Sequence, residues 1–193
     1  SAVNDAPVNT VPTAQTTAED TPLVIAGLQI FDADNTTGMS VTLAVTNGVV
    51  NVTAGTGVTI STNGTASVKL SGTQGGIKTL LSTTNAVTYT PTLNYNGAAA
   101  LTMTTSDGAL TDTDTVSVTV SAVNDAPALA GTSTLAYTEN AAAAVINTNL
   151  TITDADNTTF ASATISITGG FEANKDVLSF TNASMGNIAL TSY

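Results

Sequence analysis

The chain has 193 residues, with 14 acidic side chains against three lysines, a formal charge of −11, and no Cys, His, Trp or Arg. Nucleic acid is an improbable partner, because its phosphates are bound by clustered Arg and Lys. Without His or Cys, the chain cannot form the catalytic groups built on those residues. Zinc and iron–sulfur sites lose their usual ligands for the same reason. Oxygen ligands remain, and these are the ligands that calcium prefers.

Alternating apolar and polar residues predict short β-strands along the whole chain. The sequence contains 40 Thr, and β-branched residues favour strands over helices. In chain order, the alternation is clearest at residues 41–45, 87–93, 101–105, 116–120 and 165–167. No apolar run approaches the roughly 18 residues of a membrane-spanning helix, so we expect no membrane insertion.

Turn-forming pairs lie between these strands, as expected for an antiparallel sandwich. They are Asn47-Gly48, Asn63-Gly64, Gly75-Gly76, Asn96-Gly97, Asp107-Gly108 and Gly169-Gly170. The one helix-like stretch, residues 141–144, is short and is predicted to be irregular. The pattern therefore predicts an all-β chain.

An internal repeat divides the chain. The segment SAVNDAP at residues 1–7 returns unchanged at residues 121–127, a period of 120 residues, and Glu19 has its counterpart at Glu139. We therefore predict a complete repeat at 1–120 and the N-terminal part of a second repeat at 121–193. Each begins with the linker motif, at 1–7 and at 121–127.

A duplicated acidic motif, Asp-Ala-Asp-Asn, begins at Asp32 in the first copy and at Asp154 in the second, now offset by 122 residues. It places two carboxylates two residues apart, and the Asn favours a turn. A cation relieves repulsion between such carboxylates, and Ca²⁺ accepts about six to eight oxygen ligands in irregular geometry. An Asx turn explains a single motif equally well, but its recurrence at matched positions favours calcium.

Several segments resemble the bacterial cadherin-like repeats, tandem modules of giant surface adhesins that are grouped with VCBS-type and other Ig-like repeats. The resemblance rests on Asn94-Tyr95-Asn96-Gly97, on the Asp107-Gly108 turn, on the strand at 116–120, and on Val123-Asn124-Asp125-Ala126-Pro127. It implies Ig-like antiparallel β-sandwiches joined end to end, with Ca²⁺ at the junctions and neighbouring repeats as partners, in an extracellular protein at the bacterial cell surface.

The resemblance also implies a set of calcium ligands. Those of the junction between the two repeats would be Glu19, Asn124, Asp125, Asp154 and Asp156. An equivalent half-site at the start of the first repeat would use Asn4, Asp5, Asp32 and Asp34, and Glu139 would face a later junction.

The chain departs from the cadherin pattern in ways that reduce the number of charged ligands. Ala122 stands where cadherins carry a linker aspartate, the linker is one residue shorter before its proline, and the neutral segment 94–96 replaces an acidic motif. We therefore expect one or two calcium ions at each junction. Asp107 is expected to serve its turn at least as much as a metal, and Asp112 and Asp114 are expected on a solvated strand face.

Three classes of function remain open. The leading one is a calcium-stiffened structural repeat of a long bacterial cell-surface or secreted adhesin or fibre, acting in adhesion or in matrix and biofilm formation. A carbohydrate-binding β-sandwich usually needs exposed aromatic residues, and the chain has four Tyr, four Phe and no Trp. A glycosidase would use two carboxylates, but two of the three Glu occupy repeat-equivalent positions. We expect no enzymatic activity and no catalytic residue.

The second repeat lacks the equivalents of the strands predicted at 87–93, 101–105 and 116–120. Without them, apolar residues such as Ile165 and Ile167 would be exposed. The sequence is then either a piece of a longer array of repeats, which we favour, or the subunit of a strand-donating extracellular filament in which other copies complete the fold.

Overall fold

The computed structural model describes residues 3–179 and contains two compact units, Ser1–Ala126 and Pro127–Tyr193. The first unit ends at Ala126, and its last strand continues through Ser121. The first six residues of the second linker motif therefore belong to the first unit.

The described part of the first unit contains short strands and one helix. In chain order these are β1 (Val8–Thr10), β2 (Gln15–Ala18), β3 (Leu23–Val24), β4 (Gln29–Phe31), β5 (Met39–Val45), β6 (Gly48–Val52), β7 (Val58–Ser61), β8 (Ser67–Gly72), α1 (Gln74–Leu81), β9 (Val87–Pro91), β10 (Gly97–Ser106) and β11 (Thr111–Ser121).

A six-stranded sheet with the order β2-β11-β10-β5-β8-β7 forms one layer of the first unit. Its neighbouring strands are antiparallel except at one edge, where β2 runs parallel to β11 from Gln15↔Val118 to Ala18↔Ser121. The burial of β5 alternates strictly, with Val41 and Leu43 fully buried and Thr42 between them half-buried. This period of two confirms the predicted strand at 41–45.

A three-stranded sheet with the order β3-β9-β6 forms the opposing layer. Val50 of β6 and Tyr89 of β9 contribute to the same buried cluster as Leu43, Leu101 and Met103 of the six-stranded sheet. Two sheets that share one apolar core form an all-β, Ig-like sandwich, as the sequence predicts. β1 and β4 pair separately, from Val8↔Phe31 to Thr10↔Gln29.

Helix α1 is an element that the sequence analysis missed. Gly75-Gly76 was predicted as a turn, but both glycines lie in the first turn of α1. Thr73 caps the helix, its Oγ1 accepting the Gly76 N–H at 3.1 Å, and Ile77, Leu80 and Leu81 are buried. Spacings of three and four residues place those side chains on one face. Their packing therefore offsets the low helix propensity of two glycines.

The prediction that Asp112 and Asp114 lie on a solvated strand face is wrong. Both aspartates are half-buried, whereas the threonines with which they alternate are exposed. The two aspartates share a face of β11 with Val116, because they lie at even spacing from it. Asp112 Oδ2 accepts the Asn9 N–H at 2.7 Å. Inside the sandwich, the Thr105 hydroxyl donates to Asn9 Oδ1 at 2.5 Å.

The second unit contains little regular structure within its described residues. β12 (Ala128–Ala130) pairs antiparallel with β13 (Thr151–Thr153). Residues 141–144 are irregular, as predicted, but residues 165–167 form no strand, so that prediction is wrong. The expected exposure is confirmed, since Ile165 is 60% exposed and Ile167 is 39% exposed.

Truncating the core of the first unit tests the register of β5. Leu43→Ala should lower the free energy of unfolding by about 2–5 kcal/mol, because Leu43 is fully buried and the surrounding sheets cannot close the cavity completely. Thr42→Ala, on the outer face of the same strand, should change it by about 0.5 kcal/mol or less. Urea unfolding followed by circular dichroism measures both. Equal losses for the two variants would contradict the observed register.

Candidate metal centre

The loop that follows β4 forms a tight turn around the side chain of Asp32. Asp32 Oδ1 accepts the N–H groups of Asp34 at 2.9 Å and of Asn35 at 2.7 Å. The residue is only 3% exposed. Its other carboxylate oxygen, Oδ2, is buried and accepts no hydrogen bond from the described residues. A buried carboxylate oxygen without a donor is costly, and a bound cation would remove that cost.

The linker motif at the start of the chain contacts this loop. The Asp5 N–H donates to Asp34 Oδ2 at 2.8 Å. Asn4 Nδ2 donates to Asp107 Oδ2 at 2.6 Å, and Asn35 Nδ2 donates to the Asp107 carbonyl at 2.8 Å. The structure thus places the linker residues Asn4 and Asp5 against Asp107 and Asp34 at one end of the first unit, with Asp5 in contact through its backbone N–H. We call this set the linker-proximal cluster: Asn4, Asp5, Asp32, Asp34, Asn35 and Asp107.

Asp107 belongs to this cluster and also holds its turn, the role that the sequence predicts for it at least as strongly as metal ligation. Its Oδ1 does hold the turn, accepting the N–H groups of Ala109 and Leu110, each at 2.7 Å. Its Oδ2 faces Asn4. The hydrogen bond from Asn4, followed by those from Leu110 and Ala109, holds the pKa of Asp107 below its usual value. The internal repeat gave no signal for this residue, because its equivalent would lie beyond residue 193.

The cluster supplies oxygen ligands but not a ring of carboxylates. Within residues 3–179, no three acidic side chains lie close enough to hold a metal by themselves. A cation at this position would therefore combine the Asp32 and Asp34 carboxylates with amide or backbone oxygens. Such a mixed oxygen set suits Ca²⁺, and the buried Asp32 Oδ2 is the atom that fits it best.

The acidic turn recurs in the second unit with the same hydrogen bonds. Asp154 Oδ1 accepts the N–H of Asp156 at 2.9 Å and of Asn157 at 2.8 Å. Asp154 is half-buried, and Asp156 and Asn157 are exposed. The duplicated motif therefore encodes the same local turn in both copies, as the matched sequences indicate.

Glu19 lies just beyond β2 and contacts the second copy of the linker motif. Although it is only 3% exposed, Glu19 Oε1 accepts the Val123 N–H at 2.5 Å, and Oε2 accepts from Asn96 Nδ2 at 3.4 Å. The Glu19 N–H donates to the Ser121 carbonyl at 2.9 Å. The carboxylate thus fixes the chain as it leaves β11.

The remaining predicted ligands are distributed over both units. Asn124 Nδ2 donates to the Asp125 carbonyl at 2.8 Å, and Asp125 is half-buried in the first unit. The junction predicted from Glu19, Asn124, Asp125, Asp154 and Asp156 draws on the two units and remains a prediction. Glu139 is exposed in the second unit, whereas its repeat equivalent Glu19 is buried.

Comparison with known proteins gives one partial similarity. No protein-family profile matches the chain. The chain is 39% identical over 89 residues, 45% of its length, to halomucin from Haloquadratum walsbyi. It spans only about 1% of that relative, which is therefore a very long protein. Among the described residues, no helix combines the length and apolar character needed to cross a membrane.

The lowered pKa of Asp107 predicts a pH-dependent contribution to stability. Because its folded-state pKa lies below the unfolded value of about 3.9, the stabilisation is complete above that value and is lost as the pH falls through the folded pKa. Asp107→Asn should therefore be less stable than the wild type at neutral pH. The difference should shrink as the pH falls below about 4.

Urea unfolding of calcium-free protein across this pH range measures the effect. Asp114→Asn removes the same charge from the half-buried face of β11 and serves as the control. A difference between Asp107→Asn and the wild type that stays constant down to about pH 2 would contradict the assignment.

Proposed function

We propose that the chain is a calcium-stiffened structural segment of a long extracellular protein of the bacterial cell surface, acting in adhesion or in matrix formation. The observation that carries the proposal is the duplicated carboxylate turn. In its first copy, the turn holds Asp32 Oδ2 buried without a hydrogen-bond donor, and Asp34 of the same turn accepts the N–H of the linker residue Asp5.

In the linker-proximal cluster, Ca²⁺ would be held by the carboxylates of Asp32 and Asp34, with oxygens of Asn4 and Asp107 completing the site. The bound ion would neutralise several close negative charges and cross-link segments that lie far apart in the chain. The protein already aligns those segments, because Asn4 bonds Asp107 and Asp5 bonds Asp34. The ion would add stiffness to an existing arrangement.

The repeat extends the proposal to the second linker motif. By equivalence with Asn4, Asp32 and Asp34, the residues Asn124, Asp154 and Asp156 would serve a second ion, with Asp125 and Glu19 as further ligands. Neighbouring repeats of the same protein are then the partners, and no catalytic role is assigned. The partial similarity to a very long protein supports a place within an extended chain. Extracellular calcium modules bind with a Kd of about 10⁻⁴–10⁻³ M, which suits the millimolar calcium found outside cells.

Calcium should raise the thermal stability of the chain. At a free concentration of about 10–100 times Kd, one site should add about 1.4–2.7 kcal/mol. Thermal melts with calcium and with a chelator measure this increment. Asp32→Asn should lose the part that belongs to the first unit, because the amide removes a charged ligand. The amide keeps the Oδ1 acceptor for the N–H groups of Asp34 and Asn35, so the turn itself should remain in the chelated protein.

Asp114→Asn carries the same charge change on β11, outside the linker-proximal cluster, and should keep the full calcium increment. Identical melting temperatures for the wild-type chain with calcium and with chelator would refute the proposal.

Calcium should also stiffen the linker around residues 123–127. Chelation would leave the carboxylates of Glu19, Asp125, Asp154 and Asp156 without their common cation, so the two units should move more freely. Small-angle X-ray scattering of the chain should show a larger variation in dimensions after chelation than with calcium. Asp154→Asn should reduce this calcium effect, whereas Asp32→Asn should retain it. The same scattering profile under both conditions would contradict the stiffening role.

A further inference from the structure

The side chain of Gln74, the first residue of α1, bonds three backbone groups of the acidic loop. Gln74 Oε1 accepts the Asp32 N–H at 3.2 Å. Its Nε2 donates to the carbonyl of Asp32 at 3.0 Å and to that of Asn35 at 3.2 Å. The backbone N–H of Gln74 donates to the Thr36 carbonyl at 3.0 Å. One residue therefore holds the loop from Asp32 to Thr36 against the start of the helix.

The helix gives this contact a fixed base. Thr73 caps α1, and Ile77, Leu80 and Leu81 bury one side of it in the core of the first unit. The Gln74 N–H is one of the first-turn donors that a helix cannot satisfy internally, and here the loop supplies its acceptor. The Gln74 side chain bonds both backbone groups of Asp32, the residue that follows β4, as a neighbouring strand would do.

The second copy shows what the loop does by itself. The turn around Asp154 forms with the same two hydrogen bonds, and the described part of the second unit contains no helix. The local turn therefore does not require the glutamine, whereas the first unit adds the contacts that fix the loop on the sandwich.

We infer that Gln74 is a positioning residue that holds the Asp32–Thr36 loop on α1, so that the Asp32 and Asp34 carboxylates stand in place before a cation binds. The inference rests on the proposed function for its link to calcium, but the positioning itself is a property of the calcium-free protein. Fixing ligands in advance lowers the conformational cost of binding. Outer partners of metal ligands typically contribute about 10–100-fold to metal affinity.

The test compares Gln74→Met with the wild-type chain. Methionine keeps the length and volume of the side chain and removes its three hydrogen bonds. In chelated protein, NMR should show amide hydrogen exchange at Asp34 and Asn35 that is about tenfold faster than in the wild type. On calcium titration, the Kd read from the Asn35 resonance should rise about tenfold or more. The resonances of Asp156 and Asn157 report the second loop of the same molecule and should not change.

Two control variants separate the amide from general effects. Gln15→Met removes another glutamine whose side chain bonds nearby backbone carbonyls, those of Thr13 and Ala14. It should leave both loops unchanged. Thr73→Ala removes the helix cap but keeps the Gln74 amide. If Thr73→Ala alters the loop as much as Gln74→Met does, helix stability rather than the amide is responsible, and the inference is overturned.

Two further outcomes distinguish failure of the Gln74 role from failure of the proposed function. A wild-type chain that binds calcium at the Asn35 loop, with exchange and Kd unchanged in Gln74→Met, overturns the role of Gln74 and leaves the proposed function standing. If the wild-type chain binds no calcium, the proposed function fails. Faster exchange at Asp34 and Asn35 in the variant would then still establish the positioning, and unchanged exchange would overturn it.

Discussion

With 14 carboxylates and three lysines in the chain, the acidic side chains depend on hydrogen bonds from N–H groups, because cationic partners are too few. Lys175 pairs with Glu172, three residues earlier in the second unit. In the first unit, Asp34 accepts from the Asp5 N–H and Glu19 accepts from the Val123 N–H. A carboxylate with hydrogen-bond donors tolerates burial far better than one without them. The N–H groups of Asp5 and Val123 therefore fix the linker residues before β1 and after β11 against the sandwich.

The two ends of the first unit use this interaction in the same way. At one end, the carboxylates of Asp34 and Asp107 hold the linker residues that precede β1. At the other, Glu19 holds the residues that follow β11, alongside the parallel pairing of β2 with β11. Carboxylate oxygens therefore hold the chain on both sides of the sandwich.

The acidic loop occurs twice in the chain, so the hydrogen bonds that its own sequence forms can be recognised in both copies. The turn around Asp32 and the turn around Asp154 share their backbone hydrogen bonds, since each needs only the motif Asp-Ala-Asp-Asn. In the first copy, Gln74 of helix α1 and Asp107 also contact the loop, and Asp32 Oδ2 is enclosed there without a donor. The enclosure of Asp32 Oδ2 is therefore a tertiary property built on a local turn.

The sequence by itself determined the all-β class, the repeat and the acidic turn, because each depends on residues close together in the chain or on direct identity between copies. The alternation at 41–45 is local, and the structure confirms it in β5. Helix α1 was missed because its glycines indicate a turn, and only the burial of Ile77 and Leu80 makes the helix favourable. The inward face of Asp112 was missed because the register of β11 follows from Val116 and its neighbours in the core. Asp107 and Gln74 joined the candidate site only in the tertiary structure, since contacts across 103 and 42 residues leave no periodic signal in a sequence.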